Sequence, residues 1–316
     1  MEPITRRSFI QKSAIAASSI PFLTFPDWPL AGGAKDEALS VHIFSKHLQF
    51  LDYRRTGQVA AELGFDGVDL TVRPKGHVLP ESVKTDLPKA IQEIQAGGSQ
   101  CKMITTRVEN VKSQLDVDVL ETAASSGVKY YRMNWYKFPK GKSMPDALLL
   151  YQKQIQKLSK LNRQLGLIGC YQNHAGRDVG GSFWEIHQIL EKADPGHFGT
   201  QYDIRHAMAE GGFSWENGFQ LLQPTIQTIV LKDFYWKKDA GKWKITNCPI
   251  GDGMVDFDKY FKLLKAHDMH PPVSLHLEYP LGGAENGLSE ISVDEKVVFD
   301  AMKKDLESVQ RLWKMA

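Results

Sequence analysis

The sequence predicts an α/β protein whose one catalytic domain is a closed (β/α)8 barrel, or TIM barrel. Between residues 39 and 316, short segments rich in β-branched and aromatic residues alternate with amphipathic helical segments, eight times over. Strict alternation favours a parallel sheet, and eight units in a chain of this length fit a closed barrel better than an open sheet. No G-x-G-x-x-G motif follows the first predicted strand, which argues against a dinucleotide-binding sheet.

The spacing of hydrophobic residues and the residues typical of turns predict where the strands and helices lie. Gly64 is typical of a helix C-terminus, and Pro145 is typical of a helix start. The longest connection, residues 234–254, is predicted to be an insertion that could form a lid over the site. We predict strands over residues 40–44, 67–70, 102–105, 130–133, 167–171, 198–202, 228–231 and 273–277. We predict helices over residues 56–63, 87–96, 117–125, 145–165, 184–191, 215–222, 257–266 and 293–313.

The first segment is predicted to be an export signal. Arg6 and Arg7 precede Ser8-Phe9-Ile10, and an apolar stretch rich in small residues follows. This order is typical of a signal peptide, and the paired arginines resemble the twin-arginine signal. The apolar run is too short for a membrane span. We therefore divide the chain into a signal peptide (1–34) and a barrel domain (35–316), and expect a periplasmic protein that is exported folded and has no membrane span after cleavage.

Composition excludes several classes of protein. The chain is 42% hydrophobic and 24% charged, as is ordinary for a soluble domain, and its formal net charge is +2. No basic block or nucleic-acid-binding motif is present, so we expect no nucleic-acid partner. The three cysteines form no C-x-x-C motif, and Cys101 and Cys170 lie in apolar runs that predict burial. Nothing specifies an interface, which leaves a homo-oligomer open.

Polar side chains follow seven of the eight predicted strands, where barrels of this kind carry their active sites. A closed barrel points these strand ends into one mouth, and this mixture of charged and polar groups suits a small polyhydroxylated or anionic ligand, such as a sugar. The predicted substrate-binding residues are Arg73, His77, Arg107, Arg132, Asn134, Asn173, His174, Arg205 and His276. The predicted catalytic residues are His206, Lys232, Asp233 and Glu278.

The residue types indicate proton transfer next to a carbonyl group. His206 or Glu278 could move the proton if its pKa is tuned near neutrality. Lys232 could stabilise an oxyanion or hold Asp233 in place, and a Schiff base at Lys232 is a weaker alternative. Asp203 and Glu278, with a neutral imidazole, could hold one divalent cation, Mg²⁺ or Mn²⁺ or, with nitrogen ligands, Zn²⁺. Such a cation would polarise a sugar carbonyl and stabilise an enediolate.

Several motifs resemble those of the xylose-isomerase-like barrel superfamily, the sugar phosphate isomerase and epimerase group. The resemblance extends over residues 39–315 and implies both the barrel fold and chemistry on sugars. The motifs that carry it are GFDGVDL at 64–70, QNH at 172–174, DIRH at 203–206, LKD at 231–233, IGDGMVDF at 250–257 and the carboxylate Glu278.

The resemblance also implies a divalent-metal site, which this sequence alters. In the epimerases of the group, Glu, Asp, His and Glu bind the metal, and the corresponding residues here are Gln172, Asp203, Val230 and Glu278. An amide replaces a carboxylate, and an alkyl group replaces an imidazole. A metal is therefore either bound by a rearranged set or weak or absent. The rearranged set would be Gln172, Asp203, His206 and Glu278, with His174 and His276 as further donors.

Three functions follow from this reading. The first is a sugar isomerase or epimerase that abstracts a proton next to a carbonyl, with or without a divalent cation. The second is a 3-keto-glycoside lyase or hydratase, because exported relatives with similar motifs are associated with oxidised glycosides. The third is a non-catalytic periplasmic sugar-binding barrel, which the altered metal ligands favour. A hydrolase of the endonuclease type is disfavoured by the lack of a basic groove.

Overall fold

The computed structural model describes residues 38–316, and eight of its strands close into a parallel barrel. Each strand is short and mostly buried, as expected for a parallel sheet covered by helices. All eight predicted strands are present, and the last ends two residues earlier than predicted. The barrel strands are β1 (Val41–Phe44), β2 (Gly67–Val72), β3 (Met103–Thr106), β4 (Tyr130–Arg132), β5 (Ile168–Gln172), β6 (Phe198–Asp203), β7 (Ile226–Leu231) and β10 (Val273–Leu275).

The barrel closes because β1 pairs with β2 on one side and with β10 on the other. The hydrogen-bonded order around it is β1-β10-β7-β6-β5-β4-β3-β2, and every pairing is parallel. The fold is therefore the predicted (β/α)8 barrel. The carboxyl ends of all eight strands meet at one face, which is where the site must be sought.

Nine α-helices occur in the described part of the chain, one more than predicted. The additional helix, α6, begins at the end of β6, where the side chain of Asp203 accepts the backbone N–H of His206. Sequence reasoning missed α6 because its first residues, 204–206, were assigned to the motif that follows the sixth strand. The helices are α1 (Tyr53–Leu63), α2 (Val83–Ala96), α3 (Gln114–Ser125), α4 (Met144–Leu165), α5 (Phe183–Leu190), α6 (Ile204–Gly211), α7 (Trp215–Leu222), α8 (Phe257–Ala266) and α9 (Glu295–Met315). Short 3-10 turns lie at Ser45–Leu48, Pro80–Ser82, Gly212–Ser214, Gln223–Thr225 and Ala284–Asn286.

Local capping explains where two of the helices begin and end. Asp52 caps the start of α1 by accepting the N–H of Arg55, and Gly64 ends it with a φ of 91°. Ser143 caps α4, and Gly166 ends it with a φ of 73°. Glycine adopts this left-handed conformation without steric cost, so the predicted stop at Gly64 is confirmed.

The predicted insertion at residues 234–254 contains a two-stranded antiparallel hairpin. Its strands are β8 (Asp233–Asp239) and β9 (Lys242–Cys248), which pair from Asp233 with Cys248 to Asp239 with Lys242. Trp236 and Trp243 are exposed on the hairpin, at 40% and 65% of their surface. The hairpin is therefore buried where it follows β7 and exposed toward its turn.

The core fills the barrel and the layer between the barrel and its helices. Three aromatic rings from different elements, Tyr202, Phe219 and Tyr260, lie within 6 Å of one another and are fully buried. All three cysteines are buried and unpaired, which confirms the prediction for Cys101 and Cys170. Within residues 38–316 no helix is long and apolar enough to cross a membrane. The predicted export signal, residues 1–34, lies outside the described residues and stays a prediction.

Candidate active site

Four ionisable side chains converge where β6, β7 and β10 end. The Nζ atom of Lys232 lies 2.9 Å from Nε2 of His206, 3.2 Å from Oδ2 of Asp203 and 3.4 Å from Oε2 of Glu278. Lys232, Asp203 and His206 are all buried, so water competes little for these contacts. An ammonium group carries three protons, and each of these three neighbours can accept one.

Asp203 is held firmly on both its backbone and its side chain. Its Oδ1 accepts the N–H of His206 at 3.0 Å, and its Oδ2 accepts Nε2 of Gln172 at 2.8 Å. The side chain of Asn173 accepts the N–H of Asp203 at 2.7 Å and donates to its carbonyl at 2.8 Å. Asp203 is thus a fixed anchor for the ammonium of Lys232.

His206 is an uncharged imidazole between two cations. Its Nδ1 lies 3.0 Å from Nη1 of Arg205, and its Nε2 lies 2.9 Å from Nζ of Lys232. Burial, followed by the charges of Lys232, His174 and Arg205, lowers the pKa of His206 well below its ordinary value. A neutral imidazole has one acceptor nitrogen, so it accepts a hydrogen bond from only one of the two cations.

Glu278 is a carboxylate surrounded by positive charge. Its Oε1 lies 3.6 Å from Nζ of Lys46 and 3.8 Å from Nδ1 of His276, and its Oε2 faces Lys232. Burial raises the pKa of Glu278, but Lys232, His276 and Lys46 outweigh burial and hold it well below the usual range. The side chain keeps 25% of its surface exposed, so an ionised carboxylate is available to a ligand.

Two further imidazoles near this cluster are neutral. Burial lowers the pKa of His276 to about 4, and its ring stacks on Phe44 with 4.2 Å between centroids. Burial, with the charge of Lys232, also lowers the pKa of His174 to about 4. The ring of His174 lies against Trp135, 4.4 Å between centroids. The positive charge of the site at neutral pH therefore comes from lysine and arginine.

The predicted metal set comes together, but it does not fit a divalent ion. Nζ of Lys232 lies within 3.4 Å of three members, so an ammonium and a divalent cation would compete for one space and repel each other. Val230, the strand partner of Asp203, is fully buried and has no donor atom. Within residues 38–316, no three His, Cys, Asp or Glu side chains are arranged to hold a metal. The predicted set was Gln172, Asp203, His206 and Glu278, and metal binding by these residues stays a prediction.

A cavity of about 130 Å³ lies beside this cluster, and a groove of about 410 Å³ adjoins it. Arg73, Arg132 and Trp135 line both spaces, so the groove continues the cavity outward. Arg107 and Asn134, both predicted to bind substrate, line the groove but not the cavity. The predicted residues that line the inner cavity are Arg73, Arg132, Gln172, His174, Lys232, His276 and Glu278.

Asp233, predicted to be catalytic, binds backbone N–H groups and does not line the cavity, so its catalytic role stays a prediction. Its Oδ1 accepts the N–H groups of Phe234 and Val255, and its Oδ2 accepts those of Gly251 and Gly253, at 2.8 to 3.1 Å. A Cβ atom at Gly253 would lie 2.2 Å from Oδ1 of Asp233, which explains the second glycine of the G-x-G motif. Asp233 therefore folds the loop after the hairpin.

Three predicted substrate-binding residues bind other parts of the protein instead. Both ring nitrogens of His77 face protein oxygens, Oγ of Ser45 and the carbonyl of Leu48, each at 3.1 Å. Asn173 clamps the backbone of Asp203, as described above. Arg205 donates to Oδ1 of Asn247 on β9 at 2.6 Å, which ties the hairpin to His206. These side chains position the site and do not line its cavity.

Sequence reasoning missed three residues that line the cavity, Phe44, Lys46 and Trp135. Phe44 ends β1 and Lys46 follows it, but the predicted site included only residues that follow the second and later strands. The same rule applied to β1 would have found Lys46. Trp135 was missed because an aromatic residue after a strand more often belongs to the core.

A larger groove of about 620 Å³ lies outside the barrel mouth. It is lined by residues of α4, α5 and α7, among them Met144, Trp184 and Leu221. None of the strand-end ionisable residues described above contributes to it. The candidate active site is therefore the smaller cavity, where the perturbed ionisable groups meet.

Solved structures of two sugar epimerases and of a further barrel protein share the fold at low sequence identity. A 3-keto-D-glucoside 4-epimerase from E. coli matches with a TM-score of 0.62 and 11% identity, over 84% of this chain and 97% of that one. D-psicose 3-epimerase from Clostridium cellulolyticum H10, solved with D-tagatose, gives 0.66 and 11%, over 87% and 99%. A xylose isomerase-like barrel protein from Mycobacterium smegmatis, solved with magnesium, gives 0.61 and 12%, over 87% and 98%.

Sequence comparison gives the family directly. No functionally curated protein sequence matches this chain. The family model described as xylose isomerase-like TIM barrel matches residues 58–293, which include every barrel strand except β1. That match extends over more than half of the chain and over all the strand-end motifs from β2 to β10. The protein belongs to the xylose isomerase-like TIM barrel family.

Proposed function

We propose that this protein is a sugar epimerase or isomerase that abstracts a proton next to a carbonyl group, with Lys232 supplying the positive charge. The observation that carries the proposal is the position of Nζ of Lys232 between Asp203, His206 and Glu278, at the edge of the cavity. A fixed cation beside an ionised carboxylate is what enolisation of a sugar carbonyl requires. The sugar epimerases that share the fold support the choice of substrate class.

The proposed base is Glu278, whose pKa lies well below the usual range and not near neutrality as predicted, so that it is ionised and ready to accept a proton. Its carboxylate takes the proton from the carbon next to the substrate carbonyl, the electron pair of that C–H bond forms a C=C bond, and the π pair of the carbonyl moves onto its oxygen. Lys232 gives up its hydrogen bond to Glu278, 3.4 Å long in the free protein, donates to that oxygen instead, and stabilises the enediolate as its charge develops. Asp203 and Gln172 keep the ammonium in position, since Asp203 is fixed by four hydrogen bonds.

Return of the proton determines the product. Delivery to the opposite face of the same carbon, by a second acid on that face, gives an epimer, and delivery by Glu278 to the former carbonyl carbon gives an isomer. If the enediolate instead expels a group from the next carbon, the reaction is an elimination, as in the 3-keto-glycoside lyase alternative. All three outcomes share the first step, so a test of that step decides between an enzyme and a sugar-binding protein.

Proton exchange with solvent tests the proposal. The purified protein is incubated in D₂O with ketoses and 3-keto glycosides, and deuterium at the carbon next to the carbonyl is followed by NMR. We expect exchange with at least one substrate and loss of exchange in Glu278→Gln, which still unfolds in one cooperative thermal transition, at a lower temperature because the contacts of the carboxylate with Lys46 and Lys232 are lost. Glu290→Gln, at an exposed site, is the matched control. Full activity of Glu278→Gln would refute the mechanism, and no exchange with any substrate would leave sugar binding alone.

A further inference from the structure

Two arginines face the cavity without a carboxylate partner. Arg73 follows β2, and Arg132 ends β4. Both line the cavity and the adjoining groove. In residues 38–316, no carboxylate oxygen lies within 4.0 Å of either guanidinium, although other carboxylates of the site are paired with Lys46 and Lys232. Paired guanidinium groups of this kind are a recognition site for planar anions.

Arg132 is the better buried of the two. It is 5% exposed, and its Nη1 atom is buried and has no hydrogen-bond partner. Its guanidinium lies over the ring of Trp135, 4.2 Å from the centroid, and that of Arg73 lies 5.4 Å from the ring of Phe44. Burial, followed by repulsion from Arg73, lowers the pKa of Arg132 to about 9. A buried donor without an acceptor is costly, so an anionic ligand that accepts from it would relieve the cost.

The charges around the two spaces add to this argument. Four cations line the inner cavity, Lys46, Arg73, Arg132 and Lys232, against the single carboxylate of Glu278. The groove adds Lys75 and Arg107, and no carboxylate lines it. Asp203 pairs with Lys232 and Glu278 pairs with Lys46, so Arg73 and Arg132 are the cavity cations that a neutral sugar would leave without a carboxylate within 4.0 Å.

We propose that the substrate is an anionic carbohydrate whose carboxylate or phosphate group is bound between Arg73 and Arg132. Its reacting carbonyl lies at Lys232 in the inner cavity, and the rest of the molecule extends along the groove. This inference rests on the proposed function and narrows its substrate class. The fork of each guanidinium matches two anionic oxygens, while the aromatic faces of Phe44 and Trp135 hold the two forks in place.

Calorimetric titration with three sugars tests the inference. D-glucuronate, D-glucose 6-phosphate and D-glucose share a ring and differ in charge, so the first two separate a carboxylate from a phosphate. We expect at least one anion to bind tenfold or more tighter than D-glucose. Arg132→Gln and Arg73→Gln are each expected to lose that preference, while Arg311→Gln, an exposed control, keeps it. Added salt is expected to weaken the binding of the anion and to leave the affinity for D-glucose unchanged.

Thermal unfolding supplies a second readout that a folding defect would not imitate. Without ligand, Arg132→Gln is expected to melt no lower than the wild-type protein, because it removes a buried charge with no partner. The preferred anion raises the melting temperature of the wild type and of Arg311→Gln only. Arg73→Gln, at a half-buried site, repeats the test if Arg132→Gln fails to fold.

Three results would overturn the inference: equal binding of D-glucose and both anions, a preference that survives in both variants, or no saturable anion binding at millimolar concentration. These results do not depend on turnover. Anion binding without proton exchange would therefore refute the proposed function alone, and proton exchange without anion preference would refute this inference alone.

Discussion

The ammonium of Lys232 and the carboxylate of Asp203 form a buried ion pair, with 3.2 Å between Nζ and Oδ2. The pair joins the end of β7 to the end of β6, next to the position where Val230 replaces the imidazole that the family resemblance implies. Breaking a buried pair costs more than breaking an exposed one, because the remaining charge stays out of water. Removing one or both partners of this pair therefore separates the effect of Lys232 on stability from its effect on catalysis.

Replacing Lys232 by Met is expected to abolish proton exchange and to lower the free energy of unfolding by about 3–5 kcal/mol, since Asp203 is left buried without its partner. Adding Asp203→Asn to Lys232→Met is expected to restore most of the stability and none of the exchange. Urea unfolding and exchange are measured on both variants, with Lys303→Met, an exposed site, as control. Exchange in the double variant at the wild-type rate would contradict a role for Lys232 in the reaction.

Replacing Asp233 by Asn is expected to damage the loop after the hairpin while sparing the chemistry. The carboxylate accepts four backbone N–H groups, and an amide must present a donor to two of them. We expect a loss of about 2 kcal/mol or more in unfolding free energy, faster hydrogen exchange at Gly251 and Gly253, and no change in the pH profile of the reaction. A shifted pH profile would restore Asp233 to the catalytic group.

The neutral state of His276 makes stability depend on pH. Its pKa is about 4 in the folded protein against an ordinary value near 6.5, so between these values only the unfolded chain binds the proton. His276 thus contributes stability that is complete above pH 6.5 and is lost progressively as the pH falls toward 4. The slope reaches about 1.4 kcal/mol per pH unit.

Urea unfolding of the wild type and His276→Asn at several pH values between 4 and 7 measures this term. Asp305, whose pKa burial raises to about 7, acts in the opposite direction, but it is present in both proteins and cancels. We expect the unfolding free energy of the variant to depend less steeply on pH, by an amount that corresponds to the uptake of up to one proton on unfolding. Parallel curves for the two proteins would show that His276 titrates alike in the folded and unfolded states.

The ligand positions can be returned to a metal-binding set. Gln172→Glu and Val230→His restore the two ligand types that the family resemblance implies, and Lys232→Ala removes the competing ammonium. We expect the triple variant to bind one Mn²⁺ per chain, and the double variant that keeps Lys232 to bind it at least tenfold more weakly. Titration calorimetry of both compares them. Equal affinity in the two variants would show that Lys232 does not exclude the metal.

The sequence predicted the barrel and most of its element boundaries because both depend on local patterns. The spacing of hydrophobic residues, the turn residues and the alternation of strands with helices can be recognised in the sequence without knowing any tertiary contact. The GFDGVDL, DIRH and LKD motifs lie at strand ends as expected. Long-range distances are not readable in this way. Nothing in the chain order shows that Lys232 lies within 3.4 Å of Glu278, 46 residues away.

The sequence also does not show in which direction a side chain at the end of a strand points. Lys232 and Asp233 are neighbours in sequence, yet one reaches the cavity and the other binds backbone N–H groups of its own loop. The two could not be distinguished by residue type, because both are ionisable and both follow β7. Asp233 was therefore assigned a catalytic role that belongs to Lys232 and Glu278 in our proposal.

The most direct test of the central claim is an Mn²⁺ titration of the chelator-treated wild-type protein, followed by electron paramagnetic resonance at neutral pH. If Lys232 supplies the positive charge of the site, the signal of free Mn²⁺ will stay unchanged by the protein up to millimolar concentration, and proton exchange will proceed without added metal. Stoichiometric loss of that signal, together with exchange that depends on Mn²⁺, would contradict the account.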